Sequence, residues 1–205
     1  MKDAIQIVLT GDKGGVGKTT IAILLAEWIT AQDHLVKLLD TDPNRSLQTW
    51  VEKCQEVGYA VSSPEAYITI VDTAGTSGAG ATHIAKADII VAPFKPHTGD
   101  LEVVIGWFVN LKASRQKRVV FVPNEWANTK EQRACLHEMA EMLQEEGCGK
   151  LIAGLHFRPA AYGPLLDGRK GNVFQITFEG FDRKAKEEVD TLLTTILGDT
   201  LPLRD

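Results

Sequence analysis

"GDKGGVGKTT" (Gly11–Thr20) decides how the rest of the chain is read. A turn that wraps a phosphate chain needs glycines to let the backbone approach, a lysine to neutralise the anion and a hydroxyl for a metal ion. Gly14, Gly15, Gly17, Lys18 and Thr19 supply them. The apolar run "AIQIVLT" before the turn reads as a strand. After it, Ile21, Leu24, Leu25 and Trp28 recur at helical spacing, which sets the turn at a strand-to-helix junction. Two residues depart from the common pattern G-x-x-x-x-G-K-[ST]. Asp12 stands where the first glycine belongs, and Lys13 adds a second positive charge five residues before Lys18.

Downstream, strand and helix signals alternate. "HLVKLLD", "YITIVD", "DIIVAPF", "RVVFVPN" and "LIAGLHF" read as five further strands. Leu101, Val104, Ile105 and Phe108 mark one intervening helix, and Leu136, Met139, Ala140 and Leu143 another. A last helix, over roughly 183–197, carries Val189, Leu192, Leu193, Ile196 and Leu197 on one side. Nearly all-apolar strands alternating with helices predict a three-layer α/β fold, a mostly parallel twisted sheet with helices on both faces. With no repeat, low-complexity tract or long linker, residues 1–205 read as a single domain. Ligands of such sheets bind beyond the carboxyl ends of the strands. There the sequence offers the glycine turn, Asp40, Asp42, Asp72 and Asn124.

Composition narrows the class without naming a partner. The net charge of −5 argues against a uniformly basic surface but leaves room for a local basic patch. No apolar run reaches the length of a membrane span, because Glu27 interrupts "IAILLAEWI". No basic-then-apolar leader precedes the glycine turn, and three cysteines without a C-x-x-C pair suit reduced, idle thiols; the expectation is a cytoplasmic protein.

"KGGVGKTT" resembles the deviant Walker A motif of the ParA/MinD family of P-loop ATPases. The resemblance extends over nearly the whole chain, through "LLDTDP", "ITIVDTAG", "ADIIVAPFKPHTGDLEVV" and "HFRPAAYGPLLDGRKGNVFQ". It implies ATP and Mg²⁺ as cofactors. Gly14, Gly15, Val16, Gly17, Lys18, Thr19 and Thr20 would hold the nucleotide phosphates and Asn124 its adenine. Thr19, Asp40 and Asp72 would serve the metal, Asp42 would position the attacking water, and Gly75 would form a switch that senses the γ-phosphate. Lys18 would act on the nucleotide of its own subunit, and Lys13 would reach the nucleotide of a second one. A second ammonium beside Lys18 is tolerable only where another anion is supplied, and a nucleotide shared between two copies supplies it. Asp100 reads as a structural helix cap in the segment containing Pro93 and Pro96.

The early position of Asp72 and the absence of a preceding helix-turn-helix resemble the small, ParF-like ParA proteins of plasmid partition. That branch implies an ATP-state homodimer, non-specific DNA binding, a centromere-binding partner of the ParB/ParG type and association with the nucleoid. It implies no membrane, since the MinD branch ends in a basic amphipathic helix and this chain ends "LGDTLPLRD". Two alternatives stay open: a VirC-type ATPase of conjugative DNA transfer, and a P-loop metabolic enzyme. For DNA contacts the basic clusters are Arg115, Lys117 and Arg118; Arg183, Lys184 and Lys186; and, preferred, Arg169 with Lys170.

Overall fold

The computed structural model describes residues 4–76, 78, 80–170 and 183–198. Its strands are β1 (Ile5–Leu9), β2 (Val36–Asp40), β3 (Ile68–Asp72), β4 (Ile89–Phe94), β5 (Val119–Pro123) and β6 (Lys150–Leu151). They form one sheet in the order β2-β3-β1-β4-β5-β6, and every pairing is parallel. The helices are α1 (Lys18–Ala31), α2 (Ser46–Glu56), α3 (Ala81–Ile84), α4 (Thr98–Val109), α5 (Ala113–Gln116), α6 (Lys130–Glu146), α7 (Pro159–Tyr162) and α8 (Arg183–Leu197).

Alternation along β1 divides the core. Ile7 and Leu9 face a layer built from α1, α2 and α8, while Val8 faces α4 and α6. With both sheet faces covered, the strands are apolar throughout, as parallel strands must be. The three-layer α/β expectation holds.

Register positions the chemistry. Leu9 pairs with Asp72, and Asp72 pairs with Asp40, so the last residues of β1, β3 and β2 form one row. Neighbouring strands lie about 4.8 Å apart, which gathers the glycine turn and both acids at one end of the sheet. The chain moves to one side of β1 first and to the other side with β4, so this end is also the topological switch point.

Four elements differ from their sequence expectation. Helix α1 is buried around its circumference from Ile21 to Ile29, including Glu27, because α2 and α8 cover the face that would otherwise meet water. Helix α2 has no counterpart among the sequence expectations, although Leu47, Trp50, Val51 and Cys54 follow the helical period. Asp100 is not the cap of α4. The capping position is His97, and Asp100 lies in the first turn.

The fourth is the last strand, expected over "LIAGLHF" and reduced to Lys150–Leu151. The segment still follows β5, with N–H donations from Ile152 to Phe121 and from Leu155 to Pro123. The ladder breaks at Gly154, whose backbone lies so near β5 that an added Cβ would come 2.1 Å from the Pro123 carbonyl oxygen. A parallel bridge between Trp126 and His156 then carries the segment past the end of the sheet. Gly154→Ala should therefore destabilise the protein by ~1–3 kcal/mol, through overpacking against a backbone that cannot move aside, as read from urea unfolding.

Candidate functional site

Gly17 begins the site's geometry. It holds φ 97 and ψ 20 as the residue that opens α1, a left-handed conformation that places the following N–H groups toward the crevice. A side chain there would also strike Asn124, whose Nδ2 would lie 2.2 Å from an added Cβ. Asn124 follows β5, donates its own N–H to the Phe94 carbonyl at 2.8 Å and donates Nδ2 to the Val16 carbonyl at 3.0 Å. The glycine turn is thereby tied to the strand two places away in the sheet.

The turn opens on a cavity of about 570 Å³. Gly14, Gly15, Gly17, Lys18, Thr19 and Thr20 form one side of it, and Asp42, Gly75, Asn124 and Glu125 lie on the others. A larger cavity, about 720 Å³, lies between the end of β5 and α8, but no glycine turn is among its lining residues. Chemistry, not size, identifies the site.

Lys18 is buried and donates Nζ to the carbonyl of Lys13 at 2.9 Å. Burial pulls its pKa below the ordinary lysine value, and the nearby carboxylates of Asp72 and Asp42 work the other way. Thr19 donates its hydroxyl to Asp72 Oδ2 at 2.6 Å. Asp72 is 1% exposed, and its other oxygen, Oδ1, is buried without a hydrogen-bond partner among the described residues. Burial raises this carboxyl to about 6; the Thr19 hydroxyl opposes the rise and the neighbouring Asp40 charge adds to it. An orphaned buried carboxylate oxygen beside a threonine hydroxyl fits a hard divalent cation. Among the described residues no three His, Cys, Asp or Glu side chains form a cage, which suits a cation completed by phosphate oxygens and water.

The other sequence-read residues divide. Asp42 lines the cavity and accepts the Asn44 N–H at 2.9 Å, a side-chain turn that fixes the carboxylate. Asp40 lies outside the lining; its two oxygens accept the N–H groups of Asp42 and Gln48, each at 2.9 Å, which anchors the start of α2. Val16 buries its side chain and offers the site only backbone. Gly75 approaches the turn so closely that an added Cβ would meet the carbonyl carbon and oxygen of Lys13 at 2.4 Å, so glycine is a steric requirement at that position.

Lys13 does not face the cavity. Its Nζ pairs with Asp100 in the first turn of α4. Arg169 pairs with Glu56 of α2 at 3.1 Å, and the Lys170 side chain lies outside the described residues.

Sequence reading missed the far end of the site. A smaller cavity of about 130 Å³ shares Thr20, Asn124 and Glu125 with the main one and adds Phe157, Arg158 and Tyr162. Glu125 holds φ 56 and pairs with Lys95 at 2.7 Å. Phe157 is 59% exposed. Arg158 is clamped to Glu188 of α8 at 2.6 Å. Burial would raise Glu188, but the Arg158 guanidinium and the His156 N–H outweigh it and hold the carboxyl below its usual range. The available signal was "HFRP", an aromatic and a cation at the end of the expected final strand.

Comparison with known proteins agrees with this arrangement. The CobQ/CobB/MinD/ParA nucleotide binding domain family matches residues 7–160. The chain is similar to protein ParA of Rhizobium radiobacter, 27% identical over 47% of this chain and 51% of that one. It is likewise similar to a maintenance of carboxysome distribution protein A from Gloeobacter kilaueensis, 35% identical over 49% of this chain and 53% of that one. The matches thus span about half the length of these curated relatives. In fold it is similar to a Cyanothece McdA variant in complex with ATP, with a TM-score of 0.72 at 13% identity over 98% of this chain and 100% of that one. The chain belongs to the CobQ/CobB/MinD/ParA nucleotide-binding family.

The orphaned Asp72 carboxylate has a measurable cost. Its folded-state value of about 6 lies above that of an unfolded aspartate, so the folded protein holds an extra proton between about pH 4 and pH 6. Stability conferred by that proton is present below this window and lost as pH rises through it, on the order of 3 kcal/mol. Asp72→Asn should raise the unfolding midpoint at pH 7.5 and change it little at pH 4, while weakening nucleotide binding in the presence of Mg²⁺. Thermal melts at the two pH values, with titration calorimetry, check both.

Proposed function

We propose that this chain is a Mg²⁺-dependent ATPase, a single domain over residues 1–205, that pairs two copies across bound ATP and binds DNA in that state. The observation that carries the reading is the division of labour between the two lysines. Lys18 is buried and turned inward over the cavity floor, whereas Lys13 is 46% exposed at its side chain and directed away from the cavity of its own subunit. A cation at that rim is placed to serve another molecule's phosphates.

In this reading the backbone of Gly14–Thr20 cradles the phosphates, and Thr19 and Asp72 hold Mg²⁺, with Asp40 fixing the acidic turn beside them. A cation held by Thr19 and Asp72 would supply charge neutralisation at the transferred phosphoryl group. Asp42 orients the attacking water, which needs position rather than a raised pKa. Asn124, Glu125 and Phe157 form the base end, where the aromatic ring offers a face for adenine.

One relative is named for the maintenance of carboxysome distribution, which supports a role in moving or positioning a cargo; in this reading the cargo is positioned in the cytoplasm, on the nucleoid, with a ParB/ParG-type adaptor protein. No helix among the described residues is long and apolar enough to cross a membrane. For DNA, the amino-terminal edge of β4 and β5 supports phosphate contacts alongside the Arg169–Lys170 turn. Lys86, Lys112, Lys117 and Arg118 are exposed there, and none forms an ion pair among the described residues. Arg118 joins the two loops by donating to the Ala87 carbonyl at 2.6 Å.

Lys13→Ala should leave ATP affinity nearly unchanged and reduce ATP-dependent dimerisation and hydrolysis by at least about tenfold; an unchanged hydrolysis rate defeats the pairing reading. Binding to a random-sequence duplex should require ATP and weaken steeply with salt. Lys86→Glu with Lys117→Glu should cost roughly tenfold in that affinity and flatten its salt slope. If Arg169→Ala with Lys170→Ala produces the loss instead, the contacts lie at that turn.

A further inference from the structure

Lys13 carries an ammonium at the rim of the site and, in the single chain, has already found an anion. Asp100 in the first turn of α4 pairs with it, and only 10% of the Asp100 side chain is exposed. Each group needs the other: a carboxylate so buried is costly without a cation beside it. The backbone under Lys13 is fixed from two directions. Its carbonyl accepts from Lys18, and Gly75 is packed against the same carbonyl with no room for a Cβ. Only the Lys13 side chain is free to change partners, and Asp100 is the group that it must leave to do so.

We propose that Asp100 is a positioning residue for Lys13. It retains the lysine within its own subunit when no second nucleotide is present and draws it back after hydrolysis has removed phosphate charge from the partner's site. This rests on the pairing reading above and deepens it by naming the group that opposes pairing. Transfer of Lys13 to a phosphate leaves Asp100 buried and compensated only weakly, by the amino-terminal turn of α4, so the carboxylate sets how much ATP and protein the dimer requires. The helix provides a rest position, since a negative charge at its amino-terminal turn is favoured when the lysine is away.

The test is a double-mutant cycle read by sedimentation of the full chain with Mg²⁺ and a non-hydrolysable ATP analogue. Asp100→Asn should tighten the dimer by roughly three- to tenfold, as removal of a competing, partly buried charge implies. Asp100→Glu should restore wild-type behaviour. In a Lys13→Ala background, Asp100→Asn should have no effect, because the residue acts through the lysine. A purely structural role for Asp100 would instead lower the melting temperature and weaken the dimer equally in both backgrounds, which overturns the proposal. Asp100→Asn that leaves the dimer unchanged, while Lys13→Ala weakens it, also overturns the proposal but spares the pairing reading. If Lys13→Ala leaves nucleotide-dependent dimerisation intact, the pairing reading fails and the proposal with it.

Discussion

The parallel register of three strands governs this molecule. Leu9, Asp72 and Asp40 end β1, β3 and β2 in one row. Every functional group of the phosphate end is a short step from that row: the glycine turn follows β1, the Thr19 hydroxyl drops onto Asp72, and Asp42 follows Asp40 around an acidic turn. A slip of one residue in either pairing would turn Asp72 to the opposite face of the sheet and separate it from Thr19. Ile68 and Ile70 are buried on one face of the sheet and Val71 on the other, and a slip would exchange these packed positions, so core packing holds the chemistry in place.

The site is rich in charged groups, and protein atoms take the places that an anion and a cation would occupy. Lys18 donates to the turn's own carbonyl, Lys13 rests on Asp100, and Thr19 satisfies half of Asp72. The other half remains unsatisfied. These substitutes differ in strength. The Lys18 contact satisfies a buried cation, whereas Asp72 is left with a raised pKa and an oxygen without a hydrogen-bond partner among the described residues.

The phosphate end was legible because its signals are local. Glycines beside a lysine and a hydroxyl at a strand-to-helix junction restrict the backbone within ten residues, and the apolar strands announce a sheet covered on both faces. Asp100 was misread because its partner lies 87 positions away and a carboxylate in a first helical turn has a sufficient local explanation. The base end was missed for the same reason: Phe157 and Arg158 reach Asn124 only because a bridge at Trp126 steers the chain there. The shortening of the last strand depends on a backbone contact at Gly154 that no periodicity encodes. Helix α2 was legible by its period.

Gly17 and Asn124 occupy one volume from two distant parts of the chain. Sequence drift at either position is therefore constrained by the other. A lineage that replaces Asn124 with a bulkier residue loses the bond to the Val16 carbonyl and crowds the turn, while a lineage that replaces Gly17 loses both the left-handed conformation and the space. In the proposed reading of the site, divergence in nucleotide preference has its freer route through the positions beyond, at Glu125 and Phe157. There the base-end cleft can be recut without disturbing the phosphate cradle.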